Sequence, residues 1–364
     1  MPIGSDAIMP IDAIDDWQTR LDRQDAFWDR AVLDRPCVCM QYGRPEPVVS
    51  WPAPKAWPTH RDRWMDTEYL CALFTAAAEN TVFRGDALPT AWPNLGPEVF
   101  SAFFGMDLEY EEGTAYGIPN LRDWGDVDEL QFSEENFYWK KILEMTDALL
   151  EAGKGRYYVG MTDIHPGGDC IAAFRDPETL NTDLLLHPEA VRALMPRVNE
   201  AFRFMFDFYA SKLAAARQAC TTWPGIVSRR KWHVPSNDFS CMISKAMFDE
   251  FFLEGIAEEC RMAEAAVYHL DGPDALRHLD SLLSIPELNA IQWVYGAGHG
   301  RASDWTEVYR KCQAAGKGIQ ILGLGMDELD WLTTSLRPEG VWVSVAVANE
   351  DDADHVLQTV RRWT

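Results

Sequence analysis

Four stretches decide the fold: AAVYHLDG at 265–272, NAIQWVYGAG at 289–298, GKGIQILGLG at 316–325 and GVWVSVAVAN at 340–349. Each is a short apolar run that ends in Gly or polar residues. Between them lie 273–284, 303–315 and 326–335, and after the last lies 350–362, all with apolar residues at helical spacing on one face. A strand apolar on both faces needs cover on both, so strand-then-helix repetition reads as a parallel sheet clothed by helices. Working outward, 245–262 reads as the preceding helix, RYYVGMTDI (156–164) as a strand, and PCVCMQYG (36–43) as another. Helices are expected over 12–33, 65–80, 134–153 and 185–218; the last has apolar residues at 194, 198, 202, 205, 209 and 213 and a bend at Pro196. About eight such units in one chain predict a closed α/β (β/α)8 TIM barrel spanning 1–364, with an N-terminal helical extension. The alternative is an open doubly wound sheet. No GxGxxG follows a strand and no P-loop occurs, so no nucleotide cofactor is expected. Residues 45–64 hold Trp51-Pro52 and Trp57-Pro58 in a proline-rich run that cannot continue a helix, hence a long aromatic loop and a candidate lid.

Of the 364 residues, 57 are acidic and 33 basic, a formal net charge of −24. That balance argues against nucleic acid and anionic membrane surfaces as partners. With 47% hydrophobic and 12% aromatic residues the chain is not disordered. No apolar run approaches the roughly 20 residues of a membrane helix. The opening MPIGSDAIMPIDAIDDW lacks a basic region followed by an apolar one, so a cytoplasmic protein is expected. Eight cysteines at 37, 39, 71, 170, 220, 241, 260 and 312 form no CxxC and read as reduced thiols, Cys71, Cys241 and Cys260 among the packing residues.

Reactive groups of a barrel sit at the C-terminal ends of its strands. His269 and Asp271, two apart on a strand, point to one side; they suit a shared metal or an acid–base pair, or else a His held by a carboxylate. Asp163 and His165 repeat that spacing before Gly167-Gly168, as a pocket pair or an ordinary turn. Asp169, Gln292, Trp293, Tyr295, His299 and Gln320 also fall at strand ends, and WHVPSNDFSC (232–241) adds Trp232, His233 and Asp238. The flat rings of Trp51, Trp57 and Trp64 suit a sugar, a heteroaromatic ring or an ammonium group, or pack onto the body of the protein.

In order along the chain, RGDALP with Asp86, GPEVFSAFFG, FRDPETLNTDLLLHPEAVRALM, SNDFSCMISKAMFDEFF and VYHLDGP resemble segments of the uroporphyrinogen decarboxylase-like superfamily, from about residue 20 to the end. That group includes zinc-dependent corrinoid and coenzyme M methyltransferases and trimethylamine-corrinoid-related proteins. The resemblance implies a (β/α)8 barrel, methyl transfer between a small methylated metabolite and a corrinoid protein or thiol, and a homodimer. It also implies a zinc site built from a His, a Cys two residues on, and a second Cys near the last strand. Here His269 matches the His, Asp271 replaces the first Cys, and GVWVSVAVANED offers none, so the soft site is lost and Zn or another divalent metal would rest on His269, Asp271 and a further oxygen or nitrogen. The decarboxylase branch grips polycarboxylates with an arginine-rich first segment; only Arg35 and Arg44 stand here. The expected catalytic set is Asp86, Asp238, His269 and Asp271, with Trp232, Trp293, Gln292, Asp163, His165 and Trp57 facing substrate. Acid–base lyase or hydrolase chemistry on a small polar metabolite, and a non-catalytic partner of a corrinoid protein, are the rival readings.

Overall fold

The structure, a computed structural model, describes residues 8–363. The reading that no export leader is present rests partly on residues 1–7, outside that range. Eleven strands occur among the described residues: β1 Cys37–Gly43, β2 Thr81–Gly85, β3 Thr90–Ala91, β4 Asp107–Tyr110, β5 Ala115–Ile118, β6 Tyr158–Val159, β7 Trp232–His233, β8 Ala265–Asp271, β9 Ala290–Val294, β10 Gly318–Leu324 and β11 Val341–Ala346. Seven of them make one sheet in the order β2-β1-β11-β10-β9-β8-β7. Every ladder in it is parallel except β1–β2. Helices Leu253–Met262, Leu279–Leu283, Thr306–Ala314, Leu329–Ser335 and Glu350–Val360 alternate with β8–β11 as the four apolar runs predict. No helix of the described residues is long and apolar enough to cross a membrane.

Three details depart from the sequence reading. Strand β2 runs antiparallel to β1 instead of forming a parallel unit. It turns away at Gly85, which has φ +66 and lies so close to the Val38 carbonyl that a Cβ would collide with it. The strand expected at 156–164 keeps only two residues in a ladder. After Gly160 N–H donates to Ala91 O (2.7 Å), the chain leaves β3 and Met161 N–H donates to Thr221 O instead (2.9 Å). The long helix begins at Pro188 after a separate helix Pro177–Leu186, and runs unbroken to Ala215 with Pro196 inside it.

The ladders of the described residues do not close into one sheet. The small ladder β3–β6 stands apart, and the hairpin β4–β5 is an excursion. Single hydrogen bonds extend the ladder edges: Asp86 N–H, just past β2, donates to Val38 O (2.7 Å), Met161 N–H, just past β6, to Thr221 O (2.9 Å), and the Trp232 indole N–H on β7 to Cys220 O (3.0 Å).

Helix Trp17–Trp28 covers the N-terminal ends of the parallel strands. Phe27 and Trp28 pack with Trp232, Trp342, Cys37 and Val267 in a cluster of their own. Beneath it Asp86, fully buried, takes Arg35 on both oxygens (2.8 Å from Nη2 to Oδ1), Arg23 (3.2 Å) and the Val38 N–H (2.9 Å).

Candidate functional site

Alternation along β8 puts His269 and Asp271 on one face and Leu270, buried, on the other. Parallel register then fixes the neighbours of His269. Gln292 on β9 stands opposite it, and Gln320 on β10 stands opposite Gln292. The three side chains form a row whose polarity is set at its far end. The Pro224 carbonyl only accepts, so Gln320 Nε2 donates to it (3.0 Å). Gln320 Oε1 therefore accepts from Gln292 Nε2 (2.8 Å), and Gln292 Oε1 is left to accept from His269 Nδ1. This relay places the proton of a neutral His269 on Nδ1 and keeps Nε2 as a lone-pair donor.

The chain brings a third group to His269 and Asp271. Ser236 bridges to His269 in parallel fashion, and two residues on, Asp238 opens the short helix Asp238–Met242. Ligand-type atoms of Asp238, His269 and Asp271 all lie within 4.8 Å of one another. Burial, then the charge of Asp169, raises the Asp238 carboxyl to about 6, while His269 and His165 pull it down. Asp169 is itself held by Ser236 Oγ (3.0 Å) and the Phe239 N–H (3.0 Å).

His165 joins this group. Its Nε2 is 2.8 Å from Asp163 Oδ1. Burial alone would lower its pKa, but Asp163, Asp169 and Asp238 outweigh it and raise the imidazole to about 9. Trp223 stands between the two histidines, its ring 5.1 Å from His269 and 6.5 Å from His165, edge-on to both. A cavity of about 350 Å3 opens beside Asp238, with Glu98, His165 and Asp169 on one side and Pro97, Phe239 and Met242 on the other.

The raised His165 has a stability consequence. A folded value near 9 against an ordinary 6.5 means that the folded state holds the extra proton; this stabilisation is complete below about pH 6.5 and is lost as pH rises toward 9. Urea midpoints measured from pH 6 to 9 are expected to fall by the equivalent of about 2–3 kcal/mol, and His165→Gln to flatten that slope. A midpoint of the parent protein independent of pH over this range contradicts the assignment.

Of the residues expected from sequence, the structure gathers His269, Asp271, Asp238, Gln292, Asp163 and His165. It does not gather the other four. Asp86 is sealed in its arginine cage at the opposite ends of the strands, beside Val38. Trp232 is 1% exposed and packs on Trp28 at 5.5 Å. Trp293, next to Gln292, points the other way and meets Trp305 at 5.1 Å. Trp57 donates to Asp66 Oδ2 (3.0 Å) and sits against Tyr69, so the loop 45–64 is moored to helix Thr67–Asn80. The same helix ends in Asn80, whose Oδ1 accepts from the Val48 and Val49 N–H groups (2.8 and 3.0 Å). Sequence reading missed Trp223 and Ser236, and placed Gln320 and Asp169 at strand ends without giving them a part. The Ile-Gln pair repeated in AIQWV and GIQIL marks equivalent positions of adjacent strands and was the signal for the glutamine row.

No sulfur belongs to the donor set: all eight cysteines are free, and Cys241, exposed near Asp238, has its thiol pKa raised by burial and the surrounding acids. No family model matches the chain, and no curated protein matches it. Solved structures do match: 21 chains, among them a methyltransferase from Methanosarcina mazei. That structure superposes with a TM-score of 0.56 over 94% of this chain and 98% of its own, at 13% identity. At that identity the likeness speaks to the fold.

Proposed function

We propose that this chain is a metal-dependent methyltransferase of the uroporphyrinogen decarboxylase-like type, moving a methyl group from a small methylated metabolite to a corrinoid protein or thiol. The observation that carries the reading is the convergence of Asp238, His269 and Asp271, with the glutamine row orienting the His269 ring through Nδ1. The fold likeness to a methyltransferase supports it. In the same reading the strands form a (β/α)8 ring, with the bonds Asp86–Val38, Met161–Thr221 and Trp232–Cys220 carrying the circuit between the sheet edges.

The donor set suits a divalent cation. One neutral imidazole nitrogen and two carboxylates make a hard to borderline site, compatible with Zn and other divalent metals. The crowding of Asp238 by Asp169 and Asp271 is a surplus of negative charge that a cation would relieve. When bound, the metal would supply Lewis acidity to an acceptor thiol or a polar atom of the donor. The protein's own residues do the rest. Gln320 and Gln292 hold the His269 ring in one orientation and tautomer. His165, protonated at neutral pH, anchors Asp163 and faces Asp169 and Asp238. The cavity beside Asp238 gives a small donor an apolar wall at Phe239 and Met242.

One observation favours a second reading. Asp238 near 6 and His165 near 9 are a separated acid and base, as proton-transfer chemistry on a polar metabolite requires. Titration of the protein with divalent cations from pH 5 to 7.5 separates the two. Metal dependence predicts one cation per chain, with affinity rising about tenfold per pH unit up to about 6 and levelling above it as Asp238 loses its proton. Asp238→Asn should weaken cation binding and lower that slope, the remainder coming from the proton the His269 imidazole must give up. Methyl transfer to cob(I)alamin from methylated amines and ethers is the activity readout. Metal-free protein that binds no cation yet turns over a metabolite would favour the second reading.

A further inference from the structure

A second cavity shares no residue with the candidate site. It measures about 460 Å3 and lies between the N-terminal segment 11–14, the junction 78–83 and the turn 154–156. Four cations line it, Arg20, Arg44, Lys154 and Arg156, against two acids, Asp12 and Glu79. Three of the cations carry acid partners, Arg20 with Asp16, Arg156 with Glu79 and Lys154 with Glu151, while Arg44 has no acid partner among the described residues.

The three arginines are held by their inner nitrogens. Arg44 Nε donates to the Glu79 carbonyl (2.8 Å), and the Arg44 backbone N–H to the Asn80 carbonyl (2.8 Å). Arg156 Nε donates to Glu79 Oε1 (3.2 Å) and its Nη1 to the Ala152 carbonyl (3.1 Å). Arg20 donates through Nε to Asp16 (2.8 Å) and through Nη1 to the Phe83 and Ala87 carbonyls (3.2 and 2.8 Å). Both terminal nitrogens of Arg44, and Nη2 of Arg20 and of Arg156, have no hydrogen-bond partner among the described residues. Arg44 thus offers a two-nitrogen fork to an oxyanion, and Arg20 and Arg156 one terminal nitrogen each, all on guanidinium groups already fixed by other bonds and with little side-chain entropy left to lose. The remaining wall, with Ile14, Val82, Phe83 and Pro89, is apolar.

We propose that this cavity binds a small phosphorylated metabolite, its phosphate on Arg44, Arg156 and Arg20 and its organic body against Phe83 and Ile14. Size supports a small molecule, since ligand cavities typically span about 300–1,000 Å3. The donor set favours phosphate over a lone carboxylate, because the free terminal nitrogens, two on Arg44 and one each on Arg20 and Arg156, outnumber the two oxygens of a carboxylate.

Calorimetric titration of the full chain with pyrophosphate, AMP and citrate tests this. AMP and pyrophosphate are expected to bind at one per chain, more tightly than citrate. The double variant Arg44→Ala/Arg156→Ala should weaken both at least about tenfold, and Arg44→Lys, which keeps the charge and loses the fork, should weaken them too. Arg44 and Arg156 are exposed, so ligand-free melting temperatures should match the parent and show that the variants fold. His269→Ala should bind AMP as the parent does, which keeps this test independent of the metal site. No saturable binding of either phosphate compound, citrate binding as tightly, or unchanged affinity in the double variant overturns the proposal.

Discussion

Gln320→Leu is expected to lower divalent-cation affinity by about 10–100-fold while leaving every donor atom in place. The effect runs through hydrogen-bond polarity. Gln320 is fully buried, and its amide is oriented by the Pro224 carbonyl. Without it, Gln292, also fully buried, is free to rotate and present its NH2 group to His269. His269 would then accept at Nδ1 and carry its proton on Nε2, the nitrogen the cation needs. His269→Ala should abolish stoichiometric binding, and Gln292→Leu should resemble Gln320→Leu. Calorimetric titration with zinc and manganese at pH 7 measures all three. Unchanged affinity in both glutamine variants, with melting temperatures near the parent's, would show that the row does not set the tautomer. A loss of affinity in His269→Ala alone would leave the metal site standing without its relay.

Asp86→Ala is expected to destabilise the fold by about 3–5 kcal/mol, the usual result of stranding a buried charge. Arg35 is 5% exposed and puts both terminal nitrogens on Asp86, while Arg23 and the Val38 N–H add two more bonds. Removing the carboxylate leaves a guanidinium sealed at the base of the sheet. Asp86→Leu combined with Arg35→Met should recover much of the loss, since well-packed apolar pairs often replace buried ion pairs without cost. Urea unfolding gives the stabilities. A folded double variant with parental cation affinity fits a structural Asp86. Near-parental stability of Asp86→Ala accompanied by lost turnover would return Asp86 to the reacting groups.

The contrast between Asp86 and Asp238 shows how far one sequence can be read. Both are acids beside apolar runs. What separates them is the end of the strand at which each lies. The antiparallel return of β2 carries Asp86 back to the start of β1, where arginines wait; the parallel pairing of β7 with β8 carries Asp238 to the end that holds His269. Tryptophans divide in the same way. Trp232 and Trp293 stood at strand ends in the sequence, yet pleat direction turns both into the packing, while Trp223, in an irregular segment with no periodicity to flag it, reaches both histidines.

Local pattern was enough for the β-then-α order of 265–360, because continuous apolar strands between amphipathic helices have few ways to hide both faces from water. It was also enough for the pairing of His269 with Asp271, because two-residue alternation is a property of the strand backbone alone; Asp163 and His165 meet in the irregular segment after β6, which that alternation does not describe. Tertiary structure decided the direction of β2, the glutamine row and the arginine cage around Asp86. Those depend on contacts between segments 23 to 96 residues apart, and register is set by the packing of the whole sheet, which no single stretch of sequence contains.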